Sequence, residues 1–271
     1  MSTPRTLFVG GGNMATAIIG GCVANGVDPH SILVIEPDDA QRQRLSADLG
    51  VSAIAAPGPA LSACDTVVWA VKPQVIKEVA LSLAAHLPPE ALHISVAAGV
   101  TSDSLRQWLG TERIVRAMPN TPALVGHGAT GLFARAAVSA DERQRVDRLL
   151  AATGLVLWVE EEADLEAVTA VSGSGPAYFF YIMEAMTDAG EHMGLSRETA
   201  QRLAIATCTG AGHLAAQSDD PPAVLRERVT SKGGSTYEAL AVMRQRDLSG
   251  IMDEAMRACA ARAREMGQQF G

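Results

Sequence analysis

Residues Leu7 to Ala15 read L-F-V-G-G-G-N-M-A, an apolar run that enters a glycine turn and leaves it as a helix. Gly10-Gly11-Gly12-Asn13-Met14-Ala15 fits G-x-G-x-x-A. In that pattern the first glycine permits a tight turn, the second lets backbone approach a diphosphate, and the small last residue allows helix to pack on strand. The free N–H groups at the start of the helix then face the anion. A lone match of this kind also serves plain strand–helix links. Here it opens a longer pattern of short apolar runs alternating with helical stretches.

The runs are Thr6–Val9, Ile32–Ile35, Thr66–Ala70, Leu92–Val96, Ile114–Ala117 and Leu155–Val159, rich in Val and Ile and poor in charge. Such runs suit strands covered on both faces. Helical patterns such as Asp38–Leu49 and Ile76–Leu87 lie between them. Strand and helix in alternation predict βαβ units on a parallel, right-handed sheet. After Val159 the pattern changes. Glu160-Glu161-Glu162 punctuates the chain, and only helical patterns follow: about Leu165–Val171, Pro176–Met193, Arg197–Gln217, Ala223–Val229, Gly234–Arg246 and Ile251–Gln268. The expected fold class is α/β, with an N-terminal Rossmann-like domain over residues 1–162 and an all-helical domain over 163–271.

Two of the later helices carry little charge. Ala177–Ala189 holds only Glu184 and Asp188, and Thr199–Gln217 only Arg202. A helix apolar nearly all round needs cover on most sides, and a domain of this size has little interior to give it. A second subunit is the expected cover, with the first domain as the alternative.

Composition narrows the function. The chain has 271 residues, 48% hydrophobic and 19% charged, with a net charge of −8. An acidic balance argues against nucleic acid or an anionic membrane as partner. Four widely spaced cysteines without a C-x-x-C pair read as free thiols of a reducing compartment. The six histidines form no ligand spacing, so no metal is expected. No secretory leader or spanning segment is legible, which points to the cytoplasm.

Further stretches gather at the ends of the runs. At the second, Glu36 stands where a carboxylate bonds the ribose hydroxyls of NADH and repels the 2′-phosphate of NADPH. Arg42 and Arg44 follow, either softening that bias or lying on the helix surface. Ala70-Val71-Lys72-Pro73 closes another run, with Lys72 either reaching a ribose or phosphate or standing in an open loop. Val96 to Gly99, with Ala97, and Met118 to Pro122, with Asn120, close two more. Asn120 either orients a ligand or makes a turn beside its prolines.

Val229 to Leu240 reads V-T-S-K-G-G-S-T-Y-E-A-L. Ser231, Gly233, Gly234, Ser235 and Thr236 bring exposed backbone N–H groups and hydroxyls to a helix start, a cradle for a small carboxylate. An ordinary cap is the plainer reading. A dinucleotide and a small acid together suggest redox chemistry on that acid.

The motif set resembles the pyrroline-5-carboxylate reductases. The stretches that carry the resemblance are F-V-G-G-G-N-M-A, W-A-V-K-P-Q, V-A-A-G-V, R-A-M-P-N-T-P, A-V-T-A-V-S-G-S-G-P-A-Y and V-T-S-K-G-G-S-T-Y-E-A-L, in the family's order over nearly the whole chain. The resemblance implies reduction of 1-pyrroline-5-carboxylate to L-proline by NADH or NADPH, the last step of proline biosynthesis. It implies that Ser231, Gly233, Gly234, Ser235 and Thr236 hold the substrate, with Thr236 and Thr169 near the imine nitrogen. Gly10, Gly11, Gly12, Asn13, Met14, Glu36, Ala70, Val71, Lys72, Pro73, Ala97 and Asn120 would line the cofactor. It also implies homodimers, in some members built into larger rings such as decamers. Three positions depart from the family's pattern: Lys232 replaces a usual proline, Pro57 a frequent asparagine, and Glu36 the Ser/Asn-Arg pair of NADPH-preferring members. A β-hydroxyacid dehydrogenase would need a lysine between Gly173 and Met193, where there is none. A non-catalytic dinucleotide sensor remains the alternative of a different class.

Overall fold

The structure is a computed structural model, and it describes residues 5–270. The chain falls into two compact units, one of residues up to 174 together with those from 259 on, the other of residues 175–258.

In the first unit the elements run β1 (Arg5–Val9), α1 (Asn13–Ala24), β2 (Ile32–Ile35), α2 (Asp39–Leu49), β3 (Ser52–Ile54), β4 (Cys64–Trp69), α3 (Pro73–Leu83), β5 (Leu92–Ser95), α4 (Ser102–Leu109), β6 (Ile114–Met118), β7 (Gly128–Ala134), α5 (Ala140–Leu150), β8 (Gly154–Trp158) and α6 (Asp164–Val168). A π-helical turn, Thr169–Gly173, continues α6. The strands form one sheet in the order β3-β2-β1-β4-β5-β6-β7-β8. All neighbours are parallel except β6 and β7. The strand order reverses between β1 and β4, the switch point at which open α/β sheets bind ligands.

Alternation along each strand divides two cores. Phe8, Val34, Val68 and Ile94 face one layer of helices. Leu7, Val9, Leu33, Val67 and Trp69 face the other. All the expected runs became strands. β3 and β7 were not among them, and β7 breaks the all-parallel expectation. Its sequence, G-A-T-G-L-F-A, offers little β-branched surface. The glycines answer to tertiary neighbours: a Cβ on Gly131 would lie 2.6 Å from Val168 Cγ1, so the end of α6 closes on the sheet over a glycine.

Glu162, read as punctuation, is a tie. Its carboxylate takes the Arg116 guanidinium at 2.8 Å and the Ser102 N–H at 2.7 Å, and Arg135 bonds the Ser102 hydroxyl.

Inside the sheet, Trp69 Nε1–H donates to His93 Nδ1 at 3.1 Å, and the two rings stack. Burial, with the Arg113 charge behind it, pushes the His93 pKa down to about 4. An unfolded chain takes up this proton near pH 6.5. The native state therefore loses stability as pH falls from about 6.5 to about 4, by roughly 3 kcal/mol. Denaturant unfolding across that range should show this slope in the parent chain and lose it in His93→Gln. An equal slope in both would assign the acid sensitivity elsewhere.

The second unit holds α7 (Gly175–His192), α8 (Arg197–Ala216), α9 (Pro222–Arg228), α10 (Ser235–Gln245) and the start of α11 (Leu248–Phe270), whose later part belongs to the first unit. α7 and α8 pair closely: a Cβ on Gly190 would stand 2.9 Å from that of Ala200. The unit buries few large side chains. Phe179, Phe180, Tyr181, Met186, Leu203 and Ile205 are all exposed. Among the described residues no helix is long and apolar enough to cross a membrane.

Candidate functional site

The turn after β1 is fixed from below. Gly10 has φ +95°, and a Cβ on it would meet the Ala70 carbonyl oxygen at 2.8 Å. The turn is tied to the strands on both sides of β1: Gly10 N–H donates to the Ile35 carbonyl at the end of β2, and the Ala70 N–H after β4 donates to the Val9 carbonyl, both at 2.8 Å. A Cβ on Gly11 would collide with Leu45 Cδ1 at 2.6 Å. Gly12 differs. It caps α1 with an ordinary φ of −70°, offers no side-chain cap, and a Cβ on it would meet nothing within 4 Å. No neighbouring atom in the protein requires glycine there. The space above Gly12, and the first N–H groups of α1 that no side chain satisfies, fit a diphosphate.

Glu36 reaches this turn. Its Oε2 accepts the Gly11 N–H at 2.8 Å and its Oε1 the Asp38 N–H at 3.0 Å. The carboxylate is thereby held at the end of β2. Arg42 is committed to the same corner: its guanidinium donates to the carbonyls of Glu36 and Pro37 and pairs with Asp39. Arg44 is exposed. Gln41, which carries no motif signal, donates to the Gly11 carbonyl at 2.6 Å and closes the turn from its far side.

Along the switch point, Ala70 and Val71 follow β4, Lys72 caps α3 with its side chain exposed, and Pro73 fills the first helical position. Ala97 is buried after β5. Asn120 is buried too, and both ends of its amide are used: Nδ2 donates to the Ser172 carbonyl at 3.0 Å, and Oδ1 accepts the Ala129 N–H at 2.9 Å. Asn120 thus braces the π-turn against the loop after β6. Such turns inside helices often mark functional positions. Thr169 opens this one, its hydroxyl donating to the Leu165 carbonyl at 2.7 Å. That leaves its oxygen as an acceptor. Thr169 lines an open cleft of about 320 Å³ with Gly99, Thr101, Arg116, Glu162 and Arg264.

In the second unit, Ser231 to Thr236 forms a tight turn. Gly233 has φ +72°, and the Gly234 N–H bonds the Ser231 carbonyl at 3.0 Å. Gly234 caps α10 without a side-chain cap. The first N–H groups of α10 are free of intrahelical partners, and the Ser235 and Thr236 side chains are exposed beside them. α10 therefore begins as α1 does, at a glycine cap with donors turned outward. Among the described residues no group of three or more His, Cys, Asp or Glu is placed to hold a metal.

Comparison with known proteins gives this geometry a family. A family model described as pyrroline-5-carboxylate reductase dimerisation matches residues 162–266, and one described as NADP oxidoreductase coenzyme F420-dependent matches residues 5–99. Pyrroline-5-carboxylate reductase of Pseudomonas aeruginosa is 46% identical over the whole of both chains. The solved pyrroline-5-carboxylate reductase of Coxiella burnetii superposes with a TM-score of 0.93 at 41% identity, covering 98% of this chain and 99% of that one. The Plasmodium falciparum pyrroline carboxylate reductase, solved with NADP bound, gives 0.84 at 27% identity, covering 98% and 99%. The chain belongs to the pyrroline-5-carboxylate reductase family.

Proposed function

We propose that the chain reduces the C=N bond of 1-pyrroline-5-carboxylate to L-proline, with the diphosphate of a reduced nicotinamide dinucleotide on the turn Gly10–Met14 and the substrate carboxylate on the turn Ser231–Thr236. The observation that carries this reading is Gly12, whose missing side chain serves no neighbour in the protein and opens space over an uncapped helix start. The bound dinucleotide supplies the hydride. A protonated imine is already electrophilic, so the chain's task is chiefly alignment, which contributes most when ring carbon and donor are held in near-attack contact. Ser231, Gly234, Ser235 and Thr236 fix the carboxylate and Thr236 borders the ring nitrogen. The Thr169 hydroxyl donates to the Leu165 carbonyl, which leaves its oxygen able to accept a hydrogen bond from a protonated imine nitrogen. One hydride on the C=N carbon and one proton on the nitrogen complete the product.

The reading includes a homodimer, supported by the exposed apolar side chains of α7 and α8 and by the dimerisation description of the matched region. It also places the protein in the cytoplasm, in keeping with four free cysteines. The test is consumption of NADH or NADPH with the cyclic imine and, separately, with hydroxy acids. Turnover with the imine alone supports the reading. Cofactor binding without turnover would make the protein a dinucleotide sensor.

Cofactor choice is proposed to lean to NADH, because the Glu36 carboxylate is anchored by two backbone N–H groups at the ribose corner. Glu36→Ser removes the repulsion and frees those donors for a 2′-phosphate. The ratio of kcat/KM with NADPH to that with NADH should rise at least tenfold. An unchanged ratio would place Glu36 away from the ribose.

A further inference from the structure

We propose that the groove between α9 and α10 is an oxyanion site, filled by a small doubly charged anion of the phosphate type, that modulates capture of the substrate carboxylate next to it. The groove is lined by Arg226, Glu227, Thr230, Lys232, Tyr237 and Arg244, and has a volume of about 210 Å³. Three cations thus face one carboxylate, on a chain whose net charge is −8 and which has only three lysines. Elsewhere in the molecule arginines are commonly paired. Arg228, two residues from Arg226, holds Asp220, and Arg197 holds both Asp188 and Glu191. Among the described residues Arg226, Lys232 and Arg244 have no ion pair at all. Three cations around a single carboxylate leave an excess of positive charge, which an anion among them would offset.

The geometry also shows why these side chains meet. Arg226 stands in the last turn of α9 and Thr230 just beyond its end, and Tyr237 and Arg244 stand two helical turns apart on one face of α10. The Thr230 hydroxyl donates to the Arg226 carbonyl at 2.6 Å, which steadies the end of α9. Lys232 comes from the carboxylate turn itself and links the two places. A guanidinium pair and an ammonium suit an oxyanion with several acceptor oxygens. The size suits a lone oxyanion and not a nucleotide.

Two arms test this, and only the second rests on the proposed function. In the first, inorganic phosphate is titrated calorimetrically into the full chain at constant ionic strength, with chloride as the reference salt. Saturable phosphate binding is expected, weakened at least tenfold in the double variant Arg226→Gln, Arg244→Gln. Binding equal in parent and variant, or no binding beyond that of chloride, would overturn the site. Adenosine monophosphate, run alongside, should bind the groove no more tightly than phosphate. Variant-sensitive binding tenfold tighter would reassign the groove to a nucleotide and overturn the proposal. In the second arm, phosphate should raise the KM for the imine severalfold while kcat stays constant, and the double variant should keep kcat and lose that response. A phosphate response that persists in the variant would contradict the coupling. A chain that binds phosphate but reduces no imine would refute the reductase reading and leave the groove standing.

Discussion

Phe180→Asp, Tyr181→Asp protein should run as a monomer at micromolar concentration, where the parent chain runs as a dimer or larger. These two rings are 62% and 72% exposed, in the middle of a charge-poor helix. Burying an aromatic side chain of this size stabilises by about 2 kcal/mol. In a two-fold interface every residue counts twice. Losing two rings on each protomer, and adding charges that demand water, weakens association by roughly 8 kcal/mol or more, beyond a hundred-thousandfold in Kd. The second unit has little core of its own, so its melting should become concentration-dependent in the parent and drop in the variant. Sedimentation velocity with circular dichroism reads both. A parent chain that sediments as a monomer would remove the basis for the homodimer.

Gly12→Ala should leave stability unchanged within about 0.5 kcal/mol and yet lower dinucleotide affinity by a hundredfold or more. A Cβ there touches no protein atom within 4 Å and the backbone angle is ordinary. Alanine is also the better residue for the chain's conformational entropy. The one thing the methyl group displaces is a ligand lying against the helix start. Gly10→Ala is the contrast. There φ is +95° and the Ala70 carbonyl stands 2.8 Å from the new carbon, so folding and binding should fail together. Nicotinamide fluorescence titration beside thermal unfolding separates the two. Unchanged affinity in Gly12→Ala would move the diphosphate off this turn.

The sheet was legible because its central strands are buried on both faces and spelled in Val, Ile and Leu. β7 was not, since Gly128 and Gly131 are glycines for the sake of Thr153 and Val168, residues distant in sequence. A short pattern cannot register such a reason. The glycine turn after β1 was legible for the opposite cause: its shape is a matter of backbone, and backbone needs are written locally as glycine. Asn120 shows the limit. Its residue type admits a ligand contact, a turn or a brace, and only tertiary structure reveals an amide engaged at both ends. Glu162 likewise reads as a solvated charge until Arg116 and Ser102 are beside it. The π-turn at Thr169 left no signal, because a single widened turn does not alter a helical pattern.

Whether an acid-holding loop near residue 236 serves a coenzyme seated near residue 12 is decided most directly by Thr236→Ala. The account predicts that kcat/KM for the imine falls at least tenfold while the Kd for NADH, read by fluorescence, stays within twofold. Equal losses in turnover and coenzyme affinity, or no loss in either, would contradict it.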